Sequence, residues 1–253
     1  MFVDTHCHLE KKYYLSIDKV INKAIEDGVN IFIVSGYDKE GNANAIELAK
    51  RHSNVYATIG YGPNAADDIT NGDLKLLGEQ ALEKKVVGIG EIGLDYYRRK
   101  DNKDKQKEIF IEQIKIANNL NKPIVIHNRD ADDDIYNILS DLAGDKKGVI
   151  HCFNSSYSMG EKFVKLGFFL GIGGIVTFNN TRLSEVINKL PLEYIVLETD
   201  SPYLAPEPQR GKQNEPRFIK NIAEKVADIK GVNVSVVGNI TTSNSLGLFD
   251  LSE

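Results

Sequence analysis

Two histidines stand one residue apart in the stretch VDTHCHLE, with His6 and His8 flanking Cys7. In an extended segment, residues two apart project to the same side, so both imidazoles face one way and Cys7 the other. Two imidazoles on one face can share a cation. Further along, Glu91 lies near the end of VVGIGEIG, His127 ends PIVIH, His151 ends GVIH and Asp200 follows YIVLET. Four imidazoles and two carboxylates, with no thiolate on that face, suit a divalent ion such as Zn²⁺, Mn²⁺ or Mg²⁺. Six donors exceed the needs of one closed tetrahedral site, so two divalent ions are expected. A pair about 3.5–4 Å apart can activate a water, polarise a phosphoryl or carbonyl oxygen and stabilise a leaving oxygen.

Taken singly, a buried histidine is ordinarily a core residue bonded to its neighbours. Here four of the five histidines end β-rich runs and two acids do the same. A purely structural role would bury these groups without counter-charge, at high cost. The fifth, His52 in AKRHSN, follows a helix-patterned segment and reads as an exposed residue favoured by the helix dipole.

The elements that must carry these groups alternate along the chain. The candidate strands are FVDTHCH, NIFIVS, VYATIG, VVGIGEIG, PIVIHN, GVIHCF, FFLGIG and YIVLETD. Helix-patterned segments lie between them. In KDKQKEIFIEQIKIANNL, residues Ile109, Phe110, Ile114, Ile116, Ala117 and Leu120 form one apolar face, as expected of a helix covering a sheet. Eight strands separated by crossovers in 253 residues favour a closed (β/α)₈ TIM barrel forming one domain over residues 1–253. The six candidate ligands would then meet at the C-terminal mouth, where enzymes of this fold carry their chemistry. The segment after about Val232 reads as a closing helix.

By the same alternation, Cys7 and Cys152 should face the helix layer as packing residues. Asp4 shares parity with His6, and Glu198 with Asp200. Either acid could orient an imidazole by hydrogen bonding, or simply belong to a polar layer filling the barrel.

Composition excludes several classes. The chain has an ordinary globular make-up, two cysteines and a net charge of −5. It carries no basic leader followed by an apolar run and no apolar stretch of about 18 residues, so a cytoplasmic protein without membrane association is expected. No G-x-G-x-x-G follows the first strand and no G-x-x-x-x-G-K-[ST] occurs, which weakens nucleotide-binding alternatives. A polyanionic partner would need a local basic patch or metal ions.

The chain resembles the TatD-type deoxyribonucleases, metal-dependent hydrolases of the amidohydrolase-like barrels. The resemblance runs through VDTHCHLE, GEIGLDYYR, KPIVIHNRDA, VIHCFNSS, GGIVTFNNT, LETDSPYLAPEPQRGKQNEP and NSLGLFDL. It implies a (β/α)₈ barrel in which His6, His8, Glu91 and Asp200 bind one ion, while Glu91, His127 and His151 bind another. Glu91 would bridge the ions, and Asp200 would take the proton of the attacking water. Hydrolysis of DNA phosphodiesters, often from 3′ ends, is the activity implied; some relatives are deacylases of D-aminoacyl-tRNA. Many relatives carry G-x-H-P-H after the third strand, whereas this chain reads GYGPN, with Gly62 and Asn64 in place of histidines. That departure bears on substrate contacts and proton delivery rather than on the ligands.

Basic residues follow three strands: Arg98 and Arg99 after the fourth, Arg129 after the fifth, Arg210 and Lys212 after the eighth. Arg129 is the expected phosphate contact, being two residues from His127, because guanidinium pairs bidentately with phosphate. The leading expectation is a metal-dependent phosphodiesterase whose partner is DNA, with single-stranded ends as substrate and no obligate protein partner. The alternatives are a hydrolase of an ester or amide, or a metal-binding protein without catalysis.

Overall fold

The eight β-rich runs form eight parallel strands: β1 (Phe2–Cys7), β2 (Val29–Ser35), β3 (Val55–Ile59), β4 (Val86–Asp95), β5 (Ile124–Arg129), β6 (Gly148–Ile150), β7 (Phe169–Ile172) and β8 (Ile195–Leu197). They pair in chain order, β1 to β8, and helices separate them. This is the expected (β/α)₈ barrel. The computed structural model describes residues 1–251. Among these, no helix is long and apolar enough to cross a membrane.

The strand ladder runs continuously from β1 to β8, but the seam between β8 and β1 is made differently. The backbone N–H of Asp200 donates to His6 O at 2.9 Å, and that of His8 donates to Ser201 O at 2.7 Å. Thr5 adds a side-chain bond to Leu197 O at 2.9 Å. The barrel therefore closes at its mouth, through the backbones of three candidate ligands.

Two apolar layers support that mouth. The larger lies between strands and helices and includes Cys7, Phe32, Val34, Ile59, Ile92, Phe110 and Phe163. The smaller joins Ile33, Val125, Val149 and Val196 to Leu248 and Phe249. Ile33 shares parity with Ser35 in β2 and Val125 with His127 in β5, and Val149 and Val196 pack with them, so this layer is the floor beneath the polar end of the barrel. Leu248 and Phe249 belong to the last helix, α9 (Val234–Phe249), the closing helix expected after Val232. Asn244 ties it to the carbonyls of Leu192 and Ile195.

One cover helix does more than pack. In α4 (Lys103–Asn119), Ile109, Phe110, Ile114 and Ala117 are buried as the periodicity predicts, while Ile116 and Leu120 are only half-buried. Two glutamines share the buried face. Gln106 accepts from the backbone N–H of Asp95 at 2.8 Å. Gln113 accepts from Tyr61 N–H at 2.7 Å and donates to Tyr61 O at 2.9 Å. Amide side chains here replace the missing sheet partners of two segments leaving the barrel.

Gln113→Ala should therefore strand both backbone groups of Tyr61. The expected cost is about 2 kcal/mol, seen as a Tm lower by about 4–8 °C in a calorimetric scan. A fall of less than about 1 °C would show that other contacts hold the loop.

Candidate metal centre

His6 and His8 project to one side of β1, with ring centroids 4.8 Å apart. Around them the fold gathers Glu91 from β4, His127 from β5, His151 just past β6 and Asp200 just past β8. Their ligand atoms form three overlapping groups: His6, His8 and Glu91; Glu91, His127 and His151; and His6, His151 and Asp200. Within each group the atoms lie no more than 4.8 Å from one another. All six are buried or nearly so.

The outer nitrogen of each ring is already engaged. His8 Nδ1 donates to the Ser35 carbonyl at 2.8 Å. His151 Nδ1 donates to Glu198 Oε1 at 3.1 Å, and His127 Nε2 to Asp95 Oδ2 at 3.3 Å. His6 Nδ1 meets Ser35 Oγ at 3.1 Å, and that hydroxyl also accepts from Thr58 at 2.9 Å. The carbonyl and the two carboxylates assign the tautomers of His8, His127 and His151 and leave each an inward lone pair, whereas the Ser35 hydroxyl can either donate to His6 or accept from it and so assigns no tautomer there.

Those inward nitrogens converge on two carboxylates. His6 Nε2 lies 3.4 Å from Glu91 Oε2, and His8 Nε2 lies 3.4 Å from Asp200 Oδ1. His127 Nδ1 and His151 Nε2 lie 2.6 and 3.6 Å from Glu91 Oε1. His6 Nε2 and His8 Nε2 are themselves 3.2 Å apart. His8, tied from behind to a carbonyl, turns a lone pair toward His6 Nε2, as His127 and His151 do toward Glu91. Three such nitrogens, a fourth ring and two carboxylates within reach of one another form a donor set that fits a divalent ion.

The titration behaviour has the same origin. Burial pushes Glu91 up, but the charge of His151 and hydrogen bonds from His127 and His6 outweigh it and hold the carboxyl well below its usual range. Asp200 is likewise lowered against burial, chiefly by its hydrogen bond with His8 and the charge of His151. Burial opposes charge on His151, yet Glu198 and Glu91 overcome it and raise the imidazole to about 10. His6 is the exception: burial and the neighbouring His151 lower it.

Several supporting groups differ from the sequence expectations. Glu198 does orient an imidazole, that of His151, and also accepts from Cys152 N–H at 2.6 Å. Gly171 makes room for it, since a Cβ there would collide with Glu198 Oε2. Asp4 instead takes the side chain and backbone N–H of Thr199, bracing β1 against the segment after β8. Burial raises its carboxyl to about 8 despite those bonds. Strand alternation places Cys7 correctly, fully buried with Sγ toward Ile33 O. It does not apply to Cys152, because β6 ends at Ile150 and Cys152 has φ of 47°.

Ser35, Thr58 and Asp95 went unread. Asp95 shares parity with Glu91 in GEIGLD, so alternation could have found it. Ser35 and Thr58 are single hydroxyls ending apolar runs and carry no comparable signal. His52 lies apart from the cluster, 3.2 Å from Asp18. At the departure from the family pattern, a side chain at Gly62 would stand 3.5 Å from Tyr37 Cβ and 3.9 Å from Glu91 O, beside the centre, whereas Asn64 is exposed.

Of the basic residues, Arg99 is neutralised by Asp67 and Asp101 at 2.6 and 3.1 Å, and Arg98 leans toward Asp95 at 3.9 Å. Arg129 is exposed at the rim and stacks on Tyr97, its guanidinium carbon 4.2 Å from the ring centroid. Lys212 bonds Gln209 at 3.0 Å.

Comparison with known proteins agrees with this architecture. Residues 3–250 match the family model described as TatD related DNase. The uncharacterized metal-dependent hydrolase YabD of Bacillus subtilis is 39% identical over the whole of both chains. YcfH of Escherichia coli, which bears the same description, is 39% identical over 98% of this chain and 96% of its own. Among solved structures, the TatD homolog YjjV of Escherichia coli superposes with a TM-score of 0.95 at 28% identity, covering 99% of this chain and 98% of that one. A hydrolase of the TatD family from Entamoeba histolytica gives 0.88 at 25% identity, with the same coverage. With a family match along nearly its whole length and full-length relatives at this identity, the chain belongs to the TatD related DNase family.

Proposed function

We propose that this chain is a divalent-metal-dependent hydrolase that cleaves phosphodiester bonds of DNA. The observation that carries the reading is the convergence of four inward ring nitrogens on Glu91 and Asp200, three of the rings held from behind by an acceptor and His6 by the Ser35 hydroxyl. In this reading His6, His8, Glu91 and Asp200 hold one ion, Glu91, His127 and His151 hold a second, and Glu91 is common to both. Bound there, the ions supply Lewis acidity to water and to a phosphoryl oxygen.

The protein's own groups do the rest. Asp200 stays ionised because His8 and His151 hold its carboxyl down. It therefore accepts the proton of the attacking water. The water oxygen bonds to phosphorus, the bond from phosphorus to the 3′ oxygen breaks, and that oxygen leaves as a hydroxyl on receiving the proton that Asp200 took from the water. Arg129, unpaired with any acid among the described residues, contacts a non-bridging phosphate oxygen. The choice of DNA rests on the family and on this open guanidinium rim; the residues at the centre would also serve an acyl ester or amide.

The deciding experiment supplies the purified protein with Mg²⁺, Mn²⁺ or Zn²⁺ in turn and follows release of nucleotides from 3′-labelled single-stranded DNA beside an acyl ester. Release from DNA should dominate and should fall by about a thousandfold or more in a His6→Ala/His8→Ala double variant. Hydrolysis of the ester alone would transfer the site to acyl chemistry.

Two further outcomes concern the ligands. Glu198→Gln, which loosens the hold on His151, should weaken metal binding about 10–100-fold in a calorimetric titration. Metal uptake should also expel protons. His151, raised to about 10, carries a proton at neutral pH that an ion must displace, so affinity should climb as pH rises and collapse in acid. Titrations in buffers of different ionisation enthalpy measure that release, and a binding enthalpy independent of buffer would contradict it.

A further inference from the structure

The rim of the mouth carries two guanidinium groups lying flat on aromatic rings. On one side, Arg129 at the end of β5 covers Tyr97, which follows β4, with its guanidinium carbon 4.2 Å from the ring centroid. On the other, Arg210, in the segment after β8, covers Phe178, which follows β7, at 3.8 Å. The first pair lies over β4 and β5 and the second over β7 and β8, three strands apart in a barrel of eight, so they occupy two separate points of the rim around the centre to which β4 and the segment after β8 bring Glu91 and Asp200. Both arginines are exposed, and Tyr97 keeps 61% of its surface open.

Neither charge is taken up by an ion pair among the described residues. Arg99 and Arg98, on the same rim, turn to aspartates. Arg129 and Arg210 make no ion pair among the described residues, although acids stand nearby in sequence. A guanidinium stacked by its face keeps its edge N–H groups available for phosphate oxygens, and the stack presents a flat outer surface to a planar heterocycle. Stacking on such surfaces tolerates any base but requires the base to be unpaired, because a duplex hides its base faces.

We propose that Tyr97–Arg129 and Phe178–Arg210 are two nucleobase platforms that grip unpaired bases at two points of the rim around the scissile linkage. They are the groups that select a single strand over a duplex. The inference rests on the phosphodiester reading above and adds what selects the strand. Each arginine meets a backbone phosphate with its edge, while the ring–guanidinium stack receives the adjoining base.

The test uses the full-length, metal-loaded protein and three labelled probes of one length: a single strand, the corresponding duplex, and a single strand with abasic sugars in place of bases. Binding is read by fluorescence anisotropy, which needs no turnover, and hydrolysis is read separately. Wild type should bind the base-bearing single strand most tightly. Tyr97→Ala and Phe178→Ala should each weaken that binding about tenfold and raise KM more than they lower kcat. The loss should shrink to within about twofold on the abasic probe, and Tyr97→Trp should restore binding. Equal binding of base-bearing and abasic strands by wild type, or equal losses on both probes in the variants, would overturn the proposal. Base-dependent binding without hydrolysis of any probe would uphold the platforms and remove the phosphodiester reading instead.

Discussion

The closure of the barrel between β8 and β1 is the constraint on which the site depends. That seam is made by backbone hydrogen bonds from Asp200 N–H to His6 O and from His8 N–H to Ser201 O. The side chains of the same residues point to the cluster, so the bonds that shut the cylinder also set the spacing between two imidazoles and a carboxylate. Asp4 reinforces the seam from inside by binding both donors of Thr199. Because these contacts are main-chain or fully buried, they leave the ligand groups little freedom, as a preorganised centre requires.

Charge accounts for the next level of organisation. Glu91 and Asp200 are buried carboxylates that would be costly unless compensated. The fold surrounds them with four rings and then fixes each ring from behind. Ser35 serves two of them at once, with its carbonyl on His8 and its hydroxyl on His6. Below this polar tier the barrel turns apolar, with Ile33, Val125, Val149 and Val196 sealed by Leu248 and Phe249 from the last helix. The dry floor keeps the electrostatics of the centre strong by excluding solvent from beneath. Cover helices reach the same tier, since Gln106 and Gln113 on α4 satisfy backbone groups where the chain leaves β4 and β3.

Much of this was legible in the chain. Alternating β-rich and helix-patterned segments implied the parallel barrel, because a parallel crossover needs a helix-length connection. The i, i+2 spacing in VDTHCHLE placed both rings on one face, since alternation is a local property of extended backbone. Strand-end histidines and acids nominated the remaining groups for the same reason. The alternation rule failed where the strands stop early. Beyond Ile150 and Leu197 the chain adopts turns, with positive φ at Cys152 and Asp200, and parity no longer says where a side chain points.

The sequence by itself therefore determined the fold class, the residues able to bind a cation and the level of the barrel at which they lie. These follow from periodicity and residue chemistry acting over a few positions. Tertiary structure alone decided which group stands behind each ring: Ser35 for both His6 and His8, Asp95 for His127, Glu198 for His151. It also decided which arginines stay out of ion pairs among the described residues, since Arg99 meets Asp67 and Asp101 while Arg129 stacks on Tyr97. Such choices depend on distances between strands far apart in the chain, which are set only when the eight strands close on one another.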